Sequence, residues 1–123
     1  MTNQFKIAII DDAKVARMLM KKMLKEAGYD SFVEADSGVA GWELIVSEKP
    51  DIVFCDMKME GMNGLELLEK VRSNTSTASL PFIMVSAERL DKDIQSAMDR
   101  GVTEYLTKPY GSKKLEEIVL RYL

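Results

Sequence analysis

The sequence predicts an open α/β fold, a parallel sheet covered by helices on both faces, and three observations predict it. Five short β-rich apolar runs occur along 123 residues, amphipathic stretches lie between them and after the last, and the two kinds alternate strictly. Parallel neighbours need a crossover, and crossover helices bury both sheet faces. The strands are read over Phe5 to Ile10, Ser31 to Ala35, Asp51 to Cys55, Pro81 to Val85 and Thr103 to Thr107. Ile7-Ala8-Ile9-Ile10 and Ile52-Val53-Phe54-Cys55 are apolar throughout, as interior strands should be. The second run is more polar and belongs near an edge.

Five helices fill the intervals. Ala16, Met20, Met23, Leu24 and Ala27 share one helical face, and Leu44 with Ile45, Leu65 with Leu68 and Val71, and Ile94 with Ala97 and Met98 do likewise. The last helix carries Leu115, Ile118, Val119 and Tyr122. Gly28 and Gly101 follow periodic runs as helix stops, and Ser37 and Ser112 stand where they would cap a following helix. Gly41 weakens the second helix on propensity alone.

At 46% apolar the chain has material for one buried core and no room for a second domain. Charged residues make up 30%, leave a net charge of −3 and are scattered in sign, which points away from nucleic acid and anionic membranes. Met1-Thr2-Asn3-Gln4-Phe5-Lys6 lacks the basic start and apolar run of a signal peptide, and no stretch reaches membrane-spanning length, so a cytoplasmic protein is expected. The single cysteine, Cys55, has no internal partner for a disulfide and reads as structural. Without histidine the usual zinc sites are closed, so any metal must be held by oxygen.

Four strands run into polar residues of chemical interest: Ile10 into Asp11-Asp12, Cys55 into Asp56, Val85 into Ser86, and Thr107 into Lys108-Pro109. In an open parallel sheet the carboxyl ends form one edge, where ligands bind at the point of crossover reversal. Three convergent carboxylates repel one another, and a divalent cation relieves this. Oxygen ligands and open positions suit Mg²⁺, with Mn²⁺ as its substitute. Carboxylate, cation and lysine together are the kit of phosphoryl transfer, and a carboxylate can itself be the nucleophile. Adjacent acids alone are usually just solvated, and a lone serine or lysine has ordinary explanations. The joint pattern carries the reading.

Asp11-Asp12, Asp56, Ser86-Ala87 and Lys108-Pro109, at intervals of 44 (Asp12 to Asp56), 30 (Asp56 to Ser86) and 22 (Ser86 to Lys108), resemble the motif set of response-regulator receiver domains. The likeness covers the whole chain and extends to the segments 56–64 and 101–109. It implies a flavodoxin-like, doubly wound five-stranded sheet in order 2-1-3-4-5 with five helices, as one receiver domain over residues 1–123. It also implies Asp56 as phosphoacceptor, Mg²⁺ held by Asp12, Asp56 and the backbone carbonyl of Lys58 with Asp11 acting through water, and Lys108 paired with the phosphoryl group. A cis bond before Pro109 is a frequent family feature. Ser86 and Tyr105 would be the switch, altering a surface of the fourth helix, fifth strand and fifth helix, roughly 90–100 and 105–123.

The expected partners are a histidine kinase or phosphotransferase, a downstream protein target and a phosphatase, with neither nucleic acid nor membrane insertion. Met18 pointing outward on the first helix, with Val15 and Leu19 at the rim of the buried stripe, suggests a docking contact for the kinase or phosphotransferase. Glu60 stands where the family usually has proline. Lys58 and Glu88, two residues after Asp56 and Ser86, would govern phosphoryl lifetime. Met57, Met59 and Met62 read as loop residues, either filler or an adaptable contact surface. The chain ends after the fifth helix, so no separate effector domain is expected and output passes to another protein, in a chemotaxis-type regulator or a phosphorelay intermediate. Two other classes compete. A phosphatase of the haloacid dehalogenase type would need Asp-x-Asp after the first strand, where Asp11-Asp12-Ala13 stands, and multiple turnover is not expected; a receiver-like module that never gains phosphate would not need every motif residue.

Overall fold

The computed structural model describes residues 5–123; the expected absence of a leader concerns Met1 to Gln4, which lie outside the described residues. Ten elements alternate: β1 (Ile7–Ile10), α1 (Lys14–Glu26), β2 (Phe32–Ala35), α2 (Gly38–Glu48), β3 (Ile52–Asp56), α3 (Gly64–Ser73), β4 (Phe82–Ser86), α4 (Asp91–Asp99), β5 (Glu104–Thr107) and α5 (Ser112–Arg121). All strands are parallel in the order β2-β1-β3-β4-β5, the flavodoxin-like arrangement that the resemblance implied. The polar second strand is an edge. No helix among the described residues is long and apolar enough to cross a membrane.

Period-two alternation divides the central strands between two apolar layers. Ile7, Ile9, Ile52, Phe54, Ile83 and Val85 face Met20, Leu24, Leu115, Ile118 and Val119 of α1 and α5. On the other face Ala8, Ile10, Val53, Cys55, Phe82 and Met84 meet Ile45, Leu67, Leu68, Val71 and Ala97 of α2, α3 and α4. Phe54 and Phe82 are fully buried, each stabilising the fold by about 1.5–3 kcal/mol relative to exposure. The buried Cys55 thiol belongs to this second layer, and burial, then the Asp56 and Asp11 charges, push its pKa well up; it is an inert core residue.

Several local expectations are corrected. Phe5 and Lys6 precede β1 and Thr103 precedes β5, although the Lys6 carbonyl already accepts from the Asp51 N–H and the Thr103 N–H already donates to the Phe82 carbonyl. Met98 is 56% exposed, so only Ala97 of α4 is fully inside. Ser37 caps α2 by accepting from the Ala40 N–H, but Ser112 is the first helical residue of α5, after Gly111, and caps nothing. Gly28 and Gly101 hold positive φ, as helix stops do. Gly41 has a reason beyond propensity: a Cβ there would lie 2.8 Å from Ile10 Cδ1, so its absence lets α2 close onto β1.

Arg72, which no sequence pattern singled out, ties the far end of the sheet together. Its guanidinium donates to the carbonyls of Gly101 (2.8 Å), Ala78 (3.2 Å) and Leu80 (2.7 Å) and to Thr103 Oγ1 (3.0 Å). Thr103 Oγ1 in turn accepts from the Phe82 N–H at 2.8 Å. The entries to β4 and β5 are thereby fixed to α3, and with them the register of the two strands that deliver Ser86 and Lys108.

Candidate functional site

Asp11 follows β1 directly, and Asp56 and Ser86 are the last residues of β3 and β4, so the sheet register fixes where they point. Asp11 N–H donates to the Ala35 carbonyl, Met57 N–H to Val85 and Lys108 N–H to Ser86 (2.8 Å), continuing the ladder past the strands. Asp11 Oδ1 accepts from the Ala13 N–H at 2.9 Å, and Arg17 donates to the Asp11 carbonyl at 2.7 Å. The N-terminus of α3 rises beside Asp56, with a capping box between Asn63 and Glu66 and the Gly64 N–H donating to the Met57 carbonyl at 3.0 Å.

Asp11, Asp12 and Asp56 each present a carboxylate oxygen within 4.8 Å of the others. The Asp11 and Asp56 side chains are only 10% and 12% exposed, while Asp12 is exposed. Lys108 Nζ reaches Asp56 Oδ1 at 3.1 Å and Asp11 Oδ2 at 3.4 Å. Burial, followed by the Asp11 charge, holds the Asp56 carboxyl above its usual range even though Lys108 pulls it down. Burial alone would lower Lys108, but the Asp56 and Asp11 charges outweigh it and its pKa rises. Two carboxylates thus share one ammonium, and a third, Asp12, stands beside them. An oxygen-only, net-negative donor set of this kind suits a hard divalent cation. Nearby, burial and then Asp11 push the Tyr110 hydroxyl up to about 12.

Ser86 is 1% exposed. Its Oγ accepts from the Glu88 N–H at 3.0 Å and stands 3.8 Å from Met57 Sδ, toward which its hydroxyl donates. Tyr105 is half-buried and donates to the Glu88 carbonyl at 2.9 Å, with Met57 Sδ at 3.9 Å. Glu88 Oε1 also lies 3.6 Å from Lys58 Nζ, an exposed pair above the site. The Lys108–Pro109 peptide is cis, and Arg89 donates to the Lys108 carbonyl at 2.9 Å.

Asp11, Asp12, Asp56 and Lys108 thus meet in one cluster, Ser86, Tyr105 and Lys58 are linked through Glu88 in a second group, and the α1 group stands apart. Val15, Met18 and Leu19 are 75%, 54% and 51% exposed, so Val15 and Leu19 stand on the open surface rather than at the rim of the buried stripe. Leu19 borders a groove shared with Pro109 and Tyr110, next to Lys108. Met57 and Met59 are not a loop contact surface: they are 3% and 8% exposed and belong to the core, with Met62 half-buried against it. After β3 the chain alternates, with Met57 and Met59 turned into the core and Lys58 and Glu60 exposed. Arg17 and Met57, both in contact with site atoms, went unassigned. An arginine six residues after Asp11 and a methionine beside Asp56 carry no sequence signal of those contacts.

The family model of the response regulator receiver domain matches residues 7–120. A chemotaxis protein CheY homolog of Campylobacter jejuni is 34% identical over 113 residues, 91% of this chain and 87% of that protein. Chemotaxis protein CheY1 of Helicobacter pylori is also 34% identical over 113 residues, 91% of each. Among solved structures, chemotaxis protein CheY4 of Vibrio cholerae superposes with a TM-score of 0.90 at 25% identity, covering 98% of this chain and all of that one.

Proposed function

The chain belongs to the response regulator receiver domain family, and from that premise we propose that it is a phosphorylatable switch whose acceptor is Asp56. The observation that carries the reading is one lysine bridging two nearly buried carboxylates, Asp11 and Asp56, at the carboxyl edge of a parallel sheet.

Asp56 Oδ attacks the phosphorus of a phosphohistidine in line with the P–N bond. The P–N pair leaves with the imidazole, which takes up a proton, and the product is an acyl phosphate on Asp56. Lys108, already 3.1 Å from Asp56 Oδ1, pairs with the incoming phosphoryl oxygens and neutralises the charge that develops on them. Asp11 holds the ammonium from its other side at 3.4 Å and keeps it protonated. Mg²⁺, held by Asp12, Asp56 and the Lys58 carbonyl with Asp11 acting through water, would supply further charge neutralisation, with Mn²⁺ as a substitute. Burial and the Asp11 charge raise the Asp56 pKa, and a divalent cation would offset both and favour the ionised carboxylate that attacks.

The Ser86 hydroxyl turns from Met57 toward the new phosphoryl group, and the Tyr105 ring follows into the vacated space, releasing the Glu88 carbonyl. The surface of α4, β5 and α5 is what a target protein reads. Val15, Met18 and Leu19 form the contact for the kinase or phosphotransferase, beside the groove that leads to Lys108. Lys58 and Glu88 together screen the phosphoryl group from water and set its lifetime, also against a phosphatase. Similarity to chemotaxis proteins supports a chemotaxis-type output.

The test is incubation with acetyl phosphate in Mg²⁺ or in EDTA, followed by intact-mass analysis. The expected result is one phosphoryl group per chain in Mg²⁺, lost slowly, and none in EDTA. Rapid multiple turnover on phosphate esters would replace this reading with a phosphatase, and no uptake under any condition with an interaction module.

A further inference from the structure

The switch residues meet at a sulfur atom. Met57 directly follows Asp56, is 3% exposed, and puts Sδ 3.8 Å from Ser86 Oγ and 3.9 Å from Tyr105 Oη. Each hydroxyl has one proton to give. Tyr105 has a better acceptor in the Glu88 carbonyl at 2.9 Å, which leaves the sulfur to the serine. Ser86 Oγ already accepts from the Glu88 N–H at 3.0 Å, so among the described residues Met57 Sδ is the one acceptor its proton has.

We infer that Met57 is a positioning residue that parks the Ser86 hydroxyl in the resting state and so sets the threshold for activation. This rests on the Asp56 switch reading above. A thioether is a weak acceptor, strong enough to satisfy a buried hydroxyl and weak enough to give it up. A phosphoryl oxygen on Asp56 is charged and binds a hydroxyl roughly twice as strongly as a neutral acceptor. Turning Ser86 from sulfur to phosphate is therefore downhill once the phosphate is there, and unfavourable before. A leucine at 57 would fill similar space and offer no acceptor. The resting hydroxyl would then be buried without a partner, and the equilibrium would move toward the phosphoryl-facing rotamer. Met57 is also packed against Tyr105, so one side chain registers both halves of the switch.

The experiment uses the full chain with methyl-labelled methionine and beryllofluoride plus Mg²⁺ as the phosphoryl mimic, read by NMR. Met57→Leu is expected to half-saturate at a beryllofluoride concentration about twofold to tenfold lower than the native protein, the span of one net hydrogen bond. In the Ser86→Ala background the same substitution should leave the midpoint unchanged, since the hydroxyl it acts through is gone. An unchanged midpoint in the single variant, or a shift that persists without the Ser86 hydroxyl, overturns the inference in favour of mere packing. The ligand-free spectrum separates this failure from failure of the phosphorylation reading. There, Ser86→Ala must displace the Met57 methyl resonance while Met20, in the opposite layer, stays in place; an unmoved Met57 methyl overturns the parking contact even if beryllofluoride binds as expected.

Discussion

Alanine at Gly64 would test how closely α3 must approach the strand that carries Asp56. A Cβ on Gly64 would lie 2.5 Å from the Asp56 carbonyl oxygen, 2.9 Å from Met57 Cα and 2.9 Å from Met84 Sδ. The first two are backbone atoms and have no rotamer to escape into. Restoring ordinary contact near 3.5 Å requires α3 or the 56–57 backbone to move by roughly 0.5–1 Å. Overpacking of this kind costs about 1–3 kcal/mol, and the helix-propensity gain from alanine is small at the first helical position. For a chain of this length that is a fall in melting temperature of roughly 3–12 °C. Gly41→Ala is the matched comparison. Its Cβ would meet side-chain atoms, Ile10 Cδ1 at 2.8 Å and Leu67 Cδ2 at 3.3 Å, and it gains about 0.5–1 kcal/mol inside a helix. Thermal melts followed by circular dichroism should therefore rank Gly64→Ala well below Gly41→Ala. Phosphoryl uptake by Gly64→Ala, measured well below its melting point, should slow by about tenfold or more because the displaced atom belongs to Asp56 itself. A Gly64→Ala protein that melts with the native one, or above Gly41→Ala, would refute this packing argument.

Other perturbations follow from the same geometry. Asp56 has a raised pKa in the folded state, so between its ordinary pKa and its folded one the native state holds more proton than the unfolded chain and stability falls as pH rises. Without divalent cation, Asp56→Asn should thus gain on the native protein in urea titrations as pH rises above the ordinary carboxylate range, since it removes a charge that burial and Asp11 disfavour. The raised pKa of Lys108 gives the same slope at higher pH but marks a favourable contribution, fully present at neutral pH and lost as pH climbs through its folded value. Mg²⁺ should raise the melting temperature of the native protein in proportion to the logarithm of its concentration once saturating, EDTA should abolish the rise, and Asp56→Asn should show little of it. Arg72→Ala should destabilise by about 1–3 kcal/mol in denaturant titrations, since it leaves the part-buried Leu80 carbonyl without the charged donor that now satisfies it. Arg72→Lys should recover only part, as an ammonium does not span the planar fork.

The site was more legible in the sequence than the contacts that tune it. Asp11, Asp12, Asp56 and Lys108 could be brought together from sequence because strand ends in a parallel sheet must share an edge, a constraint that needs no knowledge of side-chain packing. The two apolar layers followed from the same alternation. Arg72 was invisible because its partners are mostly backbone carbonyls, which every residue has. For Met57 and Met59 the choice between filler and contact surface stayed open because a methionine in a loop carries no period to say which way it faces, and the fold turns both inward. Ser112 looked like a cap because serine often is one, while the chain used the residue before it. Val15 and Leu19 exceeded their expected exposure because a helical face read from apolar residues says nothing about where its neighbour α5 stops covering it.

Locating the phosphoryl group by peptide mapping after acetyl phosphate and Mg²⁺ treatment is the most direct test of the whole account. The account predicts a single acyl phosphate on Asp56 and none in the Asp56→Asn protein. Phosphate found on another residue, or equal labelling of the two proteins, would contradict it.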